Sequence, residues 1–298
     1  MKKAHPAVDT SMLPQYRESA AFMERFLVAV HVDGSAIERS PNNKGIKLVD
    51  GTELSIDVLS YFTENKEEFR KEFVSELEGV VDRSGLDLFC KVVASDWFDG
   101  ARLRREGSCQ RLKRSVLDYL LKLAGCALPL EQVVRSSEDL SKVEPLIAAE
   151  DIEKIIVVNN QMLYRHIEAW KISHPNSDSM SDSDVFLRRG VVLNDEIDTS
   201  KPYCEWDFIN SYSIAFSASE KFSQMVKAGS DSSKSALLNG ELAIFMNRVL
   251  FFSPFIPGMA VGQLEFGIIP SMRPLPIHCQ GIHGGILEYI IDPVPFHI

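Results

Sequence analysis

A polar run at residues 174–184, HPNSDSMSDSD, divides the chain into two halves of different texture and so limits the folds open to it. A stretch this rich in Ser, Asp, Asn and Pro buries little and reads as an exposed loop. Before it, apolar residues recur at helical spacing. After it come short apolar segments of strand length, punctuated by Gly and Pro. The expected class is therefore α+β, a helical first half followed by a mostly β second half.

In the first half, 19–30 has helical periodicity, and 45–56 reads as a hairpin whose Asp50-Gly51 suits a two-residue type I′ turn. Phe69, Phe73, Leu77 and Val80 form one stripe of a helix expected over 63–81, with Thr63 as its N-cap. Further helices are expected over 86–95, 110–127 and 149–172. The last of these turns Ile152, Ile155, Ile156, Met162, Leu163 and Ile167 towards a core. Asp96-Trp97-Phe98-Asp99 reads as a helix-ending turn. In the second half, strands are expected at 185–187, 208–213, 250–252, 263–268 and 286–291. A helix is expected at 217–226 and a soft Ser/Gly-rich segment at 227–234. The domain boundary falls between 148 and 149, with 1–148 mainly helical.

At 298 residues the chain is longer than most single domains, which agrees with two lobes. A composition that is 45% hydrophobic and 25% charged is that of a soluble globular protein. The net charge of -10 disfavours nonspecific binding to nucleic acid or anionic membrane. The basic cluster Arg102, Arg104, Arg105, Arg111, Lys113 and Arg114 reads as the solvated face of a helix. The cysteines, Cys90, Cys109, Cys126, Cys204 and Cys279, are scattered without a C-x-x-C pair, which fits neither a disulfide framework nor a structural zinc site. A reducing compartment is expected. The start, Met1-Lys2-Lys3, has no apolar core behind it and does not read as a secretory signal. No apolar run is long enough to span a membrane. The expected location is the cytoplasm, or a target cell's cytoplasm after export by a dedicated apparatus.

Three segments of the second half carry chemistry, in a fixed order. They are Leu187-Arg188-Arg189-Gly190, then Phe208-Ile209-Asn210-Ser211-Tyr212-Ser213 with Phe222 beyond it, then Leu287-Glu288-Tyr289-Ile290-Ile291-Asp292-Pro293. Over 152–298 this set resembles the Arg–Ser–Glu signature of the mono-ADP-ribosyltransferase toxins and effectors. The Pro257-Gly258 turn and the ending Pro295-Phe296-His297-Ile298 are similar to further family features. The resemblance implies a domain over 149–298 in which two small packed sheets enclose NAD, the substrate, with no metal needed. Arg189 then pairs with the pyrophosphate, a task suited to the guanidinium fork, and strand alternation sends its neighbour Arg188 to the opposite face. Gly190 lets the backbone pass close to the ligand. Ser213 shares a face with Ser211, which orients Glu288. Glu288 takes the nicotinamide ribose 2′-hydroxyl and stabilises the charge that develops as nicotinamide leaves.

One position departs from the pattern. Many members that modify arginine carry a glutamate, and those that modify asparagine a glutamine, two positions before the catalytic glutamate, and here that position is Ile286. Transfer to an arginine is thus in doubt, and a different acceptor or plain NAD hydrolysis gains ground. The expected activity is transfer of ADP-ribose from NAD to a protein acceptor. An NAD glycohydrolase and a catalytically silent interaction module are the alternatives. The run His278-Cys279-x-x-x-His283 has ligand-type residues but no fourth ligand, and the resemblance implies that the Gly-rich stretch 279–285 is a mobile loop that meets the target.

Overall fold

The computed structural model describes residues 37–39, 45–48, 53–55, 57–97, 107–124, 140–173, 186–201, 203, 205, 209–214, 219, 234–272, 274–283 and 286–291. The chain separates into two compact units, Met1–Ile56 and Asp57–Ile298. The expected boundary at 148/149 does not coincide with this division, because the helices from Asp57 onward pack on the sheet within the second unit.

The first unit holds a small antiparallel sheet, β1 (Ile37–Arg39), β2 (Gly45–Leu48) and β3 (Glu53–Ser55). The expected hairpin is present, yet Lys47 pairs with Glu53 and Ile46 with Leu54. That register leaves an odd number of residues between partners, which a two-residue type I′ connection cannot supply. The helix expected over 19–30 lies outside the described residues.

The second unit begins with helices α1 (Asp57–Glu64), α2 (Lys66–Leu77), α3 (Arg83–Lys91), α4 (Gly107–Ala124) and α5 (Ala149–Ser173). The single helix expected over 63–81 is two, and Thr63 lies inside α1 instead of capping. Asn65 makes the break: its side-chain Nδ2 donates to the Tyr61 carbonyl at 2.9 Å, and its backbone sits at φ -93, ψ 8, outside the helical well. Phe69, Phe73 and Leu77 are buried as the spacing predicts, whereas Val80 lies beyond α2 and is exposed. After α3 the chain widens into one π-helical segment, Val92–Trp97. α5 matches its expected span, and all six of its predicted core residues are buried.

The strands that follow form one seven-stranded sheet in the order β7-β8-β5-β4-β6-β10-β9. They are β4 (Phe186–Leu193), β5 (Asn210–Ser213), β6 (Lys234–Glu241), β7 (Val249–Phe252), β8 (Glu265–Ile268), β9 (Ile277–His283) and β10 (Ile286–Ile291). All neighbours are antiparallel except β6 and β10, which run parallel. The architecture is thus mixed α+β with one continuous sheet instead of two small packed ones. Two strands were not expected. β6 follows directly on the Ser/Gly-rich segment, and β9 occupies most of the span read as a mobile loop.

Directly paired residues project on the same side of a sheet, and so do alternate residues of one strand. These rules give the sheet one apolar face: Leu187, Val191, Tyr212, Ala236, Leu238, Phe266, Ile268, Leu287, Tyr289 and Ile291, all buried. The helices close onto this face. Phe252, opposite Phe266 in the ladder, stacks on its ring at 4.1 Å and meets Phe62 of α1 edge-on at 5.0 Å. α5 braces the β7 edge, where Asn159 Nδ2 donates to the Leu250 carbonyl at 2.9 Å. Pro257 and Gly258 form the expected turn, with Met259 N bonded to Ile256 O at 3.2 Å and Gly258 at φ +80, a conformation that glycine tolerates. Arg70 of α2 donates to the Met259 carbonyl and ties the turn to the helices. Among the described residues no helix is long and apolar enough to cross a membrane.

Phe252→Ala should therefore unfold at lower urea, losing about 3–5 kcal/mol from the junction of helices and sheet. Leu123→Ala, at a position 53% exposed, should change stability by less than about 0.5 kcal/mol. Equal losses in urea denaturation would mean that the junction is not where the unit is held.

Candidate functional site

The opposite face of the sheet sets a group of hidden polar side chains among the buried Leu237, Ile290 and Phe251. Ser213 of β5 pairs with Arg188 of β4, and Arg188 in turn pairs with Asn239 of β6. Asn239 pairs with Ile290 of β10, which brings Glu288, two residues earlier, to the same side. On the other flank Ser213 pairs with Glu265 of β8, and Ser211 shares their side. Arg188, Asn239, Glu265 and Glu288 are only 2%, 1%, 7% and 4% exposed. Hiding two carboxylates and a guanidinium on one sheet face is costly in folding terms. Charged groups gathered at such a cost make this face the candidate site.

Asn239 links the central strands. Arg188 Nε donates to Asn239 Oδ1 at 2.7 Å, and Asn239 Nδ2 donates to the Tyr289 carbonyl of β10 at 3.0 Å. The guanidinium stem and the glutamate-bearing strand are thereby held by one amide. The carbonyl of Arg188 also accepts from Ser219 Oγ at 2.8 Å.

The sequence-predicted residues fall as follows. Glu288, Ser211 and Ser213 share one face, as expected, and Gly190 joins them, since it pairs with Leu237, the same residue that pairs with Glu288. Arg189 does not. It lies on the other face, where its Nη1 donates to the Asn210 side chain. Alternation does separate the two arginines, but Arg188 is the one that accompanies the serines and the glutamate. A strand read from the sequence at 185–187 leaves both arginines at its end, where no partner fixes which of them faces which side. β4 in fact runs on through Leu193, so Arg188 sits mid-strand opposite Asn239.

Ser211 also differs from expectation. Its hydroxyl donates to Glu265 Oε1 on the neighbouring strand, whereas β10 lies three strands away, roughly 14 Å along the sheet. Ser213 Oγ donates to the Gln263 carbonyl. Two residues of this face were missed by sequence reasoning, Asn239 and Glu265. Glu265 stood inside an expected strand, and Asn239 interrupts the apolar run Ala236-Leu237-Leu238. Phe222 and residues 292–298 lie outside the described residues.

Other polar clusters belong to the scaffold. Glu205, buried on the apolar side, accepts from Arg248 Nη1 and from Ser271 N at 2.8 Å, while Arg248 also donates to the Ile269 carbonyl at 2.9 Å. Burial first, and the Glu205 charge second, push the Tyr212 phenol well above its usual range, so it stays protonated and can serve as a donor there. On the helices, His166 Nε2 meets Glu72 Oε2 at 2.7 Å and its Nδ1 meets Tyr61 Oη at 3.3 Å, clasping α1, α2 and α5. Burial raises the Tyr61 phenol, with Glu72 adding to the effect, which makes it a poor nucleophile near neutral pH. Of the basic cluster, Arg111 and Arg114 are spent on the Pro145 and Leu140 carbonyls. Among the described residues no group of His, Cys, Asp and Glu could hold a metal ion.

No protein-family model, curated protein or solved structure matches this chain.

Arg248→Met should cost about 3–5 kcal/mol, because it leaves the Glu205 carboxylate buried without its counter-charge. The double variant Arg248→Met/Glu205→Leu should recover part of that loss in thermal or urea unfolding. No recovery would show that Arg248 acts through the Ile269 carbonyl and the Phe245 ring instead.

Proposed function

We propose that the protein transfers ADP-ribose from NAD to a protein acceptor and releases nicotinamide. The single observation that carries this is the common face of Arg188, Ser211, Ser213, Asn239 and Glu288, spread over four neighbouring strands. The residue types of the Arg–Ser–Glu signature lie on one side of one sheet, with Arg188 taking the part that the sequence alone gave to Arg189 and the serines set apart from Glu288.

In this reading Arg188 pairs with the pyrophosphate. Asn239 fixes its Nε, so the two terminal nitrogens are presented in a set orientation. Glu288 accepts a hydrogen bond from the nicotinamide ribose 2′-hydroxyl. As the bond from ribose C1′ to the nicotinamide nitrogen breaks, its electron pair leaves with nicotinamide, which becomes neutral. Positive charge builds on C1′ and the ring oxygen beside the Glu288 carboxylate, which is 4% exposed, so little water screens the attraction. The acceptor's nucleophilic atom then bonds to C1′ and loses its proton.

Ile286 favours a second reading, NAD hydrolysis. It shares Glu288's side two residues earlier and is half-buried, and its aliphatic chain can neither orient nor deprotonate a guanidinium acceptor. Labelled NAD incubated with the protein and a cell lysate distinguishes the two. Label on a protein supports transfer, nicotinamide release without labelled protein supports hydrolysis, and neither product refutes both.

Glu288→Gln should lower nicotinamide release by at least about 10²-fold while the far-ultraviolet dichroism is retained. Arg188→Lys should weaken NAD binding in calorimetric titration more than Arg189→Lys does. A larger loss at Arg189 would remove the sheet face described above from the site.

A further inference from the structure

The polar face extends past the serines to a second carboxylate. Read along the sheet, it runs Glu265 on β8, Ser211 and Ser213 on β5, Arg188 on β4, Asn239 on β6 and Glu288 on β10. A carboxylate stands at each end and the guanidinium between them. The ends are four strand spacings apart, about 19 Å along the sheet, and both glutamates have side chains long enough to reach inward.

Glu265 is not a surface residue placed there by chance. It is 7% exposed, its Oε1 accepts from Ser211, and its own N–H donates to Ser253 Oγ at 3.0 Å. The residue before it, Leu264, has φ +44, the one positive value at a non-glycine among the described residues. A branched side chain adopts that conformation at a cost in strain. The turn 261–264 imposes it, with Leu264 N bonded to Val261 O at 3.0 Å, and delivers Glu265 to the polar face at the first position of β8.

The order of charges matches the chemistry of a dinucleotide, which carries a ribose diol on each side of a pyrophosphate. Carboxylates accept from vicinal hydroxyls as no neutral side chain does. With Glu288 given to the nicotinamide ribose and Arg188 to the pyrophosphate, we infer that Glu265, oriented by Ser211, accepts from the hydroxyls of the adenosine ribose. This inference rests on the NAD reading above. It carries a specificity: a phosphate on the adenosine 2′-oxygen would face the Glu265 carboxylate, so NADP should be refused.

The test compares NAD with NADP as substrates for the full chain, following nicotinamide release. The unaltered protein should prefer NAD by at least about tenfold in kcat/KM. Glu265→Gln should raise KM for NAD about tenfold, act much less on kcat, and narrow the preference over NADP. Ser211→Ala, a smaller change, should move KM the same way, and it decides the matter if Glu265→Gln does not fold. A folded variant that releases nicotinamide with unchanged KM and unchanged preference would sink the ribose role while leaving the transferase reading standing. If the unaltered protein binds NAD in calorimetry but does not cleave it, the transferase reading fails alone. Weaker NAD binding by Glu265→Gln then supports the subsite, and equal binding refutes it. A protein that binds no NAD refutes both.

Discussion

A single side-chain amide governs the relation between the arginine and the glutamate. Asn239 accepts from Arg188 Nε on one side and donates to the Tyr289 carbonyl on the other, so it spans three strands with two hydrogen bonds. It is buried, and a buried amide without both partners would be costly. Any slip of β4 or β10 by one residue would break one of these bonds. It would also send either Arg188 or Glu288 to the wrong face. Register in the middle of the sheet is therefore specified by polar chemistry as well as by apolar packing. β6 is the element on which the relative placement of Arg188 and Glu288 depends.

The second condition is that the apolar face supplies the stability that the polar face lacks. Phe62, Phe252, Phe255 and Phe266 join helices to sheet through ring contacts of 4.1 to 6.2 Å, and α5 lays its buried isoleucines and Trp170 into the same core. Each large buried side chain contributes about 1.5–3 kcal/mol by burial. That source of stability lets the other face gather Arg188, Glu265 and Glu288. The Glu205–Arg248 pair shows what a structural ion pair looks like in this protein: it is satisfied by backbone groups and sits on the packed side. The Arg188 face combines side-chain bonds across strands, Arg188 to Asn239 and Ser211 to Glu265, with bonds from Asn239 and Ser213 to backbone carbonyls.

Periodicity made the helices and most strands legible. The stripe from Ile152 to Ile167 and the strand from Ile286 to Ile291 could be read because burial on one face imposes a spacing. What failed has local physical causes. Asn65 broke a continuous stripe by competing for the Tyr61 carbonyl, and no spacing of apolar residues announces that. β6 escaped because a central strand buried on both faces has no alternation to show, and Asn239 and Gly240 read as turn residues. β9 escaped because its composition is that of a loop. The arginine register was lost with the end of β4. Two adjacent arginines are equivalent to any pattern until the partner strand is known, and that partner was the strand the pattern missed.

The glutamate strand has one further irregularity that bears on how Glu288 is aimed. β9 pairs Gly281 with Glu288 but Cys279 with Tyr289, so Gln280 is an extra residue without a partner on β10. This is a β-bulge, and beside it Gly281 has a positive φ of +117. Bulges increase the local twist, and this one lies between the partners of Glu288 and Tyr289. The segment expected to be a mobile loop before the glutamate is, through residue 283, a strand at the end of the sheet with a bulge beside the residue that pairs with Glu288. An edge strand also presents outward-facing backbone groups and, here, the exposed side chain of Ile282.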